Sequence, residues 1–196
     1  MSLSLPSRWE EFIVSMADEL NEIITIPKRE INNGIIIFRA LNDVLRAFYE
    51  TPLSDVRVVM LDYLVPPSLT NIFKQISDEI RSFNIPPHSD LTKWCKQGVL
   101  LLNSELTTES GSSRSHDVLW QRFTKTCIRL CSIKERVIFV LWEKTASTFD
   151  KEIDTSRNTI LKAAHPSPFS ANKGFFGCNY FTIINDLLDT PIDWNL

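Results

Sequence analysis

The amino-acid sequence predicts a single α/β domain with a central parallel four-stranded sheet and helices on both faces. Four short runs are apolar throughout and rich in branched residues, which is typical of the buried strands of parallel sheets. Amphipathic helical patterns separate these runs along the chain. The length of 196 residues suits one domain with a substantial core and is too short for two ordinary domains.

The first part of the chain is predicted to be helical and then irregular. Ser7 and Glu10 have the spacing of a capping box before an amphipathic helix that runs to about Ile24. A mostly polar stretch around Pro27, over 25–34, predicts a loop. Apolar residues at helical spacing over 41–49 predict a short helix.

Strands and helices then alternate. The predicted strands cover 56–61, 99–102, 137–142 and 159–163, and a polar stretch over 107–115 predicts a loop. Ser68 is a good N-cap for the first intervening helix, and the predicted helices cover 69–83, 90–98, 116–132, a short segment near Ala146, and 178–188. Ligands bind such sheets beyond the carboxyl ends of the strands. The residues directly after the four strands are Asp62-Tyr63, Asn103-Ser104, Glu143-Lys144 and Ala164-His165.

Composition narrows the class of protein. Lys and Arg total 21 and Asp and Glu total 24, a net charge of −3 that excludes a uniformly basic nucleic-acid coat. Bases outnumber acids over 112–134 and 155–185, but an ordinary mixed surface is the favoured interpretation of charge alone. The composition excludes intrinsic disorder, and no apolar run approaches the ~20 residues of a membrane span. No signal peptide is visible, so an intracellular protein of cytoplasm or nucleus is expected.

Cysteines and histidines do not indicate a metal site. The four cysteines lack further ligands at short spacing, and the three histidines are scattered. Cys127 and Cys131, four residues apart, share one face of a predicted helix. We therefore expect reduced, mostly buried thiols.

Three sequence segments, taken together, indicate a particular protein family more specifically than composition does. The first segment is Lys96-Gln-Gly-Val-Leu-Leu-Leu-Asn103. The second is Ala164-His-Pro-Ser-Pro-Phe-Ser-Ala171, followed by Gly174-Phe-Phe-Gly-Cys-Asn179. The third consists of Val58-Val-Met-Leu61 and Pro66-Pro-Ser-Leu-Thr-Asn-Ile-Phe73. With Pro191-Ile-Asp-Trp194 in the same order, the chain resembles the family-1 uracil-DNA glycosylases, which remove uracil from DNA. The resemblance covers about 36–194, so 1–196 is interpreted as one glycosylase-like domain, with 1–35 as its N-terminal helix and loop.

The resemblance implies a role for two residues at strand ends. Asn103 matches the asparagine that reads the uracil edge, and an amide can both donate and accept hydrogen bonds. His165 matches the histidine that stabilises the uracil anion as the glycosidic bond breaks, a form of electrostatic catalysis commonly worth ~3 kcal/mol. The alternatives are a strand-end cap for Asn103 and a structural histidine at His165.

The resemblance also implies contacts with DNA. Ser68, Ser167 and Ser170 match serines that contact phosphates without reading sequence. Phe169 occupies the position of a leucine that wedges into the base stack, although it could instead pack inward. Lys144 stands where a fourth such serine is expected, and Glu143 beside it would oppose a phosphate contact.

The sequence departs from the family pattern in the segment directly after the first predicted strand. The family has Gly-Gln-Asp-Pro-Tyr-His and a longer loop there, which supply the water-orienting aspartate, the tyrosine that excludes thymine and a uracil-stacking phenylalanine. Here only 62–65 separate Leu61 from Pro66. Asp62 and Tyr63 are either a contracted remnant of that loop or merely close the gap, and the second interpretation is favoured. Four residues at ~3.3 Å each reach about 13 Å, which closes a turn but hardly also lines a base pocket.

Three hypotheses follow. The leading one is a family member with impaired or absent catalysis that retains DNA-surface or partner binding. The alternative is an active uracil-DNA glycosylase in which Asp62 orients water, Asn103 reads uracil and His165 stabilises the leaving anion. The third is a shortened form that does not fold stably. No metal or organic cofactor is needed for the first two, and a monomer that binds DNA is expected.

Overall fold

The computed structural model describes residues 9–38, 43–61, 66–112, 114–142 and 147–196. The helices are α1 Trp9–Ser15, α2 Ala17–Asn32, α3 Arg46–Glu50, α4 Pro66–Glu79, α5 Thr92–Cys95, α6 Asp117–Ile133 and α7 Tyr180–Leu187. The strands are β1 Ile37–Phe38, β2 Val58–Leu61, β3 Val99–Leu102, β4 Thr108–Glu109, β5 Ile138–Trp142 and β6 Thr159–Ala163. Short 3₁₀ segments cover Leu53–Asp55, Ser147–Glu152 and Ala171–Lys173.

The central sheet has the order β3-β2-β5-β6, and every pairing is parallel. Leu61 at the end of β2 lies in register with Leu102 of β3 and with Leu141 of β5. The carboxyl ends of all four strands therefore meet at one edge. The predicted α/β fold and parallel four-stranded sheet are confirmed.

Alternate residues of the buried strands face two separate cores, because side chains in a strand point to opposite faces. Val59 and Leu61 belong to the core formed with α1, α2 and α6, whereas Val58 and Met60 belong to the core formed with α4, α5 and α7. All four side chains are buried. Helices on both faces explain why these strands are apolar throughout rather than alternating.

The predicted N-terminal helix and loop have the wrong bounds, since the helical region is divided at Met16 into α1 and α2, and Ser7 of the predicted capping box lies outside the described residues. The predicted loop over 25–34 is largely helix, because α2 continues through Pro27 to Asn32. A proline inside a helix removes one backbone hydrogen bond. Pro27 is nevertheless buried together with Leu20 and Ile23 on the inner face of α2, so tertiary packing overrides the local signal.

Two further local predictions are corrected. Ser68 is not an N-cap, because α4 begins at Pro66 and Ser68 lies inside its first turn. Proline is well suited to this position, since the first helical N–H groups have no intrahelical partner. The predicted polar loop over 107–115 contains β4, which pairs antiparallel with β1.

The cysteines agree with the expectation of reduced, mostly buried thiols. All four are free, and Cys95, Cys127 and Cys131 are buried. Cys127 and Cys131 lie on the inner face of α6, both fully excluded from solvent. Burial raises the pKa of the Cys131 thiol to about 12.

Many bases in the two basic stretches are neutralised by ion pairs, which supports a mixed surface over a basic face. These pairs are Arg114–Asp117, Arg122–Glu19, Arg129–Glu152, Arg157–Glu135 and Lys162–Asp150. Among the helices of the described chain, none combines the length and the apolar character that a membrane crossing requires.

Candidate active site

The candidate site lies at the carboxyl edge of the sheet. Asn103 directly follows β3 and His165 follows β6 by two residues, so they leave the two outer strands. Strands lie about 4.8 Å apart, which places the outer strands roughly 14 Å from each other with β2 and β5 between them. The segments after β2 and β5 carry Asp62, Tyr63 and Lys144, and these three predicted residues lie outside the described residues.

His165 is held by the backbone of its own loop. The backbone N–H of Ser167 donates to Nδ1 of His165 over 3.0 Å. An imidazole nitrogen that accepts a hydrogen bond carries no proton, so the neutral ring carries its proton on Nε2. The side chain is half-buried at the sheet edge. Its geometry suits a neutral donor that stabilises negative charge.

Ser167 and Ser170 form a compact turn around His165. The Ser170 hydroxyl donates to the carbonyl oxygen of His165 at 2.8 Å. The hydroxyls of Ser167 and Ser170 are 2.8 Å apart, and since the Ser170 proton is already used, Ser167 is the donor of this second bond. A phosphate contact through Ser167 therefore requires its hydroxyl to rotate away from Ser170.

Two buried side-chain atoms of predicted site residues lack a hydrogen-bond partner in the described structure. They are Oδ1 of Asn103 and Oγ of Ser68. An unsatisfied buried polar atom costs about 1–3 kcal/mol, and such an atom is explained when a ligand completes it. Asn103 as a whole is half-buried, but its Oδ1 atom is itself excluded from solvent. Ser68 is fully buried, so its hydroxyl is not open to a DNA phosphate in this arrangement.

Phe169 projects from the turn into solvent. Its side chain is 89% exposed, so it does not pack inward as one alternative had it. An exposed aromatic ring between two candidate phosphate-contacting serines is suited to entering a base stack.

Sequence reasoning did not identify the contribution of α4. The Nδ2 group of Asn71 donates to the carbonyl oxygen of Pro166 at 2.8 Å, which ties α4 to the His165 loop. Asn71 belongs to a polar row with Gln75 and Glu79 at helical spacing. The row is visible in the sequence, but polar residues at that spacing usually mark a solvated helix face.

One group in the described part of the chain has donor atoms close enough for a metal ion. Donor atoms of Glu30, Glu109 and His116 lie within 4.8 Å of one another. Nε2 of His116 is 2.9 Å from Glu30 Oε2, and its Nδ1 is 2.9 Å from the Thr107 hydroxyl. The contact with Thr107 pairs Nδ1, whereas Nε2 of His116 and Oε2 of Glu30 are close but form no hydrogen bond by geometry, and the group joins α2 to the start of α6 and not to the candidate site.

Comparison with known families decides the classification. The family model described as "Uracil DNA glycosylase superfamily" matches residues 46–189. The chain belongs to this superfamily. The matched range includes Asn103 and His165 together with the turn that holds His165, so the candidate site lies within the glycosylase domain.

Several named uracil-DNA glycosylases are similar over most of their length. The protein of Shewanella oneidensis is 36% identical, with 96% of this chain and 99% of the relative covered. The protein of Haemophilus influenzae is 38% identical, with 84% and 87% covered. The protein of Escherichia coli is 39% identical, with 89% and 87% covered.

Solved glycosylase structures share the fold. Mimivirus uracil-DNA glycosylase superposes with a TM-score of 0.84 at 21% identity, covering 96% of this chain and 86% of that one. A variant of mimivirus UNG in complex with UGI gives a TM-score of 0.87 at 22% identity, with 99% and 89% covered.

Proposed function

We propose that this protein is an active uracil-DNA glycosylase that hydrolyses the N-glycosidic bond of uracil in DNA. The observation that carries the proposal is the Ser167 N–H bond to Nδ1 of His165, which leaves Nε2–H as the donor of a neutral imidazole. Relatives that are 36–39% identical over most of this chain are named uracil-DNA glycosylases, which favours activity over the impaired form that the short bridge suggests. DNA repair by base excision is the corresponding role.

The chemistry begins with recognition of an extruded base. Turning a nucleotide out of the helix costs a few kcal/mol, and the exposed Phe169 ring fills the space that the base leaves. Oδ1 of Asn103 accepts from the uracil N3–H, and its NH₂ group donates to the adjacent carbonyl. This pairing completes the buried Asn103 oxygen that has no partner in the described structure.

Bond cleavage moves the C1′–N1 electron pair onto uracil. His165 donates from Nε2–H to the uracil oxygen on which negative charge accumulates. A water molecule attacks C1′ and gives its proton to a carboxylate, which leaves an abasic sugar and the uracil anion; the carboxylate then releases its proton to solvent and the anion takes one up to give free uracil. We assign that carboxylate to Asp62, the residue that follows β2 in the sequence, because β2 itself lies between the strands that precede Asn103 and His165.

A uracil-excision assay tests the proposal. A single-stranded oligonucleotide with one uracil is incubated with the protein and then cleaved with alkali, which cuts only at abasic sites. We expect strand scission by the wild type and its loss in Asp62→Asn. Asp55→Asn is the matched control, because Asp55 is an exposed carboxylate in the 3₁₀ segment that precedes the same strand.

Each outcome separates the hypotheses. Absence of scission by a cooperatively folded wild type would overturn the proposal, and salt-dependent DNA binding without scission would then favour a binding module. Scission that persists in Asp62→Asn would remove Asp62 from the mechanism. Failure to unfold cooperatively on heating would instead favour the form that does not fold stably.

A further inference from the structure

We propose that Asn71 is a positioning residue that sets the orientation and the tautomer of His165 through one peptide group. This inference rests on the proposed function for its kinetic consequence, although its structural consequence is independent of activity. Asn71 lies on α4, far from His165 in sequence, and its Nδ2 group donates to the carbonyl oxygen of Pro166 at 2.8 Å.

The link depends on which peptide group is involved. The C=O of Pro166 and the N–H of Ser167 belong to the same peptide unit, which is planar and rigid. Asn71 binds its oxygen end over 2.8 Å, and its N–H end donates to Nδ1 of His165 over 3.0 Å. The three groups therefore form a continuous chain from a helix side chain, through a rigid plane, to the imidazole.

This arrangement has two physical effects. First, a peptide plane fixed at its oxygen cannot rotate freely, so the N–H stays directed at Nδ1 and the ring keeps its position. Second, hydrogen bonds in series polarise one another, so a peptide whose oxygen accepts a bond is a better donor at its N–H. Both effects favour the neutral ring with its proton on Nε2, the atom assigned to stabilise the leaving uracil.

The α4 polar face consists of Asn71, Gln75 and Glu79. Its other two residues, Gln75 and Glu79, hold the far end of the segment that follows β6. Gln75 accepts from the backbone N–H of Gly177 at 2.9 Å, and its amide donates to Glu79 at 2.7 Å. Glu79 in turn accepts from the backbone N–H of Thr182 at 2.8 Å, in the first turn of α7. The segment after β6 is thus held to α4 at both ends, but within this face only Asn71 binds the peptide group that contacts His165.

The experiment uses the whole protein and three variants. Asn71→Ala removes the bond to Pro166, and Asn71→Asp keeps the size but turns a carboxylate toward the carbonyl oxygen. Asn185→Ala is the matched control, because the Asn185 amide also binds backbone, bonding the C=O of Ile192 at 3.0 Å and its N–H at 2.8 Å. Two readouts are measured: single-turnover uracil excision with DNA affinity, and the ¹⁵N shifts of His165 with hydrogen exchange of the Ser167 amide.

We expect Asn71→Ala to lower the single-turnover rate about 10- to 100-fold with DNA affinity unchanged, as for a catalytic group displaced by up to ~1 Å. Asn71→Asp should lose at least as much. In both variants the His165 ¹⁵N shifts move toward mixed tautomers and the Ser167 amide exchanges faster. Asn185→Ala lowers the melting temperature without either change.

Wild-type ¹⁵N shifts and Ser167 protection retained in Asn71→Ala would overturn the proposal, as would equal changes in Asn185→Ala. If the wild type shows no excision, the proposed function fails, and the NMR arm alone decides whether Asn71 positions His165. If excision is present and the rate of Asn71→Ala is unchanged, the positioning role is refuted while the proposed function stands.

Discussion

Ser167 donates its backbone N–H to Nδ1 of His165, so the imidazole of His165 can donate only from Nε2 while it is neutral. His165→Ala removes this donor, and we expect a fall of about 10²–10³-fold in the single-turnover excision rate. The side chain is only half-buried, so the melting temperature should change little. Excision at the wild-type rate by the folded variant would show that His165 has a structural role.

Asn103 offers a test of a buried polar atom kept for function. Oδ1 of Asn103 has no partner in the described structure, so Asn103→Leu removes an unsatisfied atom at similar size. We expect the free energy of unfolding to stay equal or rise, because replacing such a group by an apolar one is close to neutral or stabilising. Uracil excision should be lost. Urea unfolding with the excision assay checks both, and a large loss of stability would instead indicate a strand-end cap.

Phe169 is expected to contribute to uracil excision only from duplex DNA, in which the target base is stacked. Its ring is 89% exposed, so Phe169→Ala should leave the melting temperature unchanged. Excision from duplex DNA should fall more than excision from single strands, because only the duplex requires the base to be extruded. Equal losses on both substrates would argue against a wedge. Replacement of the exposed Tyr49, on α3, is the matched control for an exposed aromatic ring.

Gly98 allows a close approach of two chain segments at the start of β3. A Cβ atom at Gly98 would lie 2.2 Å from the carbonyl oxygen of Asp55, and φ is +86°. We expect Gly98→Ala to cost at least about 2 kcal/mol of unfolding free energy, from left-handed strain and displaced backbone together. Gly111→Ala is the control, since φ is +80° with nothing within 4 Å, and strain alone should cost about 1 kcal/mol. Equal costs would show that the contact with Asp55 is unimportant.

Thiol labelling should depend strongly on pH. Burial raises the pKa of the partly exposed Cys178 thiol to about 11, and the remaining thiols are buried. Only the thiolate reacts, so native labelling should be slow near neutral pH and rise about tenfold per pH unit below that pKa. Cys178→Ser should abolish most native labelling, whereas all four thiols of the wild type react in denaturant. Rapid labelling of several thiols in the native protein would contradict this burial.

The central sheet could be predicted because its signal is strong and local. A run such as Val99–Leu102 is apolar throughout, and only a strand covered on both faces buries every residue of such a run. The strand over 159–163 also matches its predicted bounds, although as an edge strand it is only half-buried and exposes Lys162. The positions of Asn103 and His165 followed from parallel topology, since every carboxyl end meets at one edge.

The remainder depended on contacts between distant segments. The helical state of Pro27 is decided by packing on the inner face of α2, which the sequence around it does not record. Likewise, β1 and β4 are two residues each, too short for a recognisable pattern. The bond from Asn71 to Pro166 joins residues 95 apart, and nothing in the local sequence distinguishes Asn71 from an exposed helix asparagine.

The two ends of the bridge between β2 and α4 are anchored independently, β2 by pairing on both sides and α4 by its bonds to the segment after β6. Neither anchor therefore depends on the length of the connection between them. Doubling the length of a flexible loop costs only about 0.6 kcal/mol of closure entropy. We expect that the connection between Leu61 and Pro66 can be lengthened while β2 and α4 keep their positions, so that insertions there would alter the edge of the candidate site without unfolding the domain.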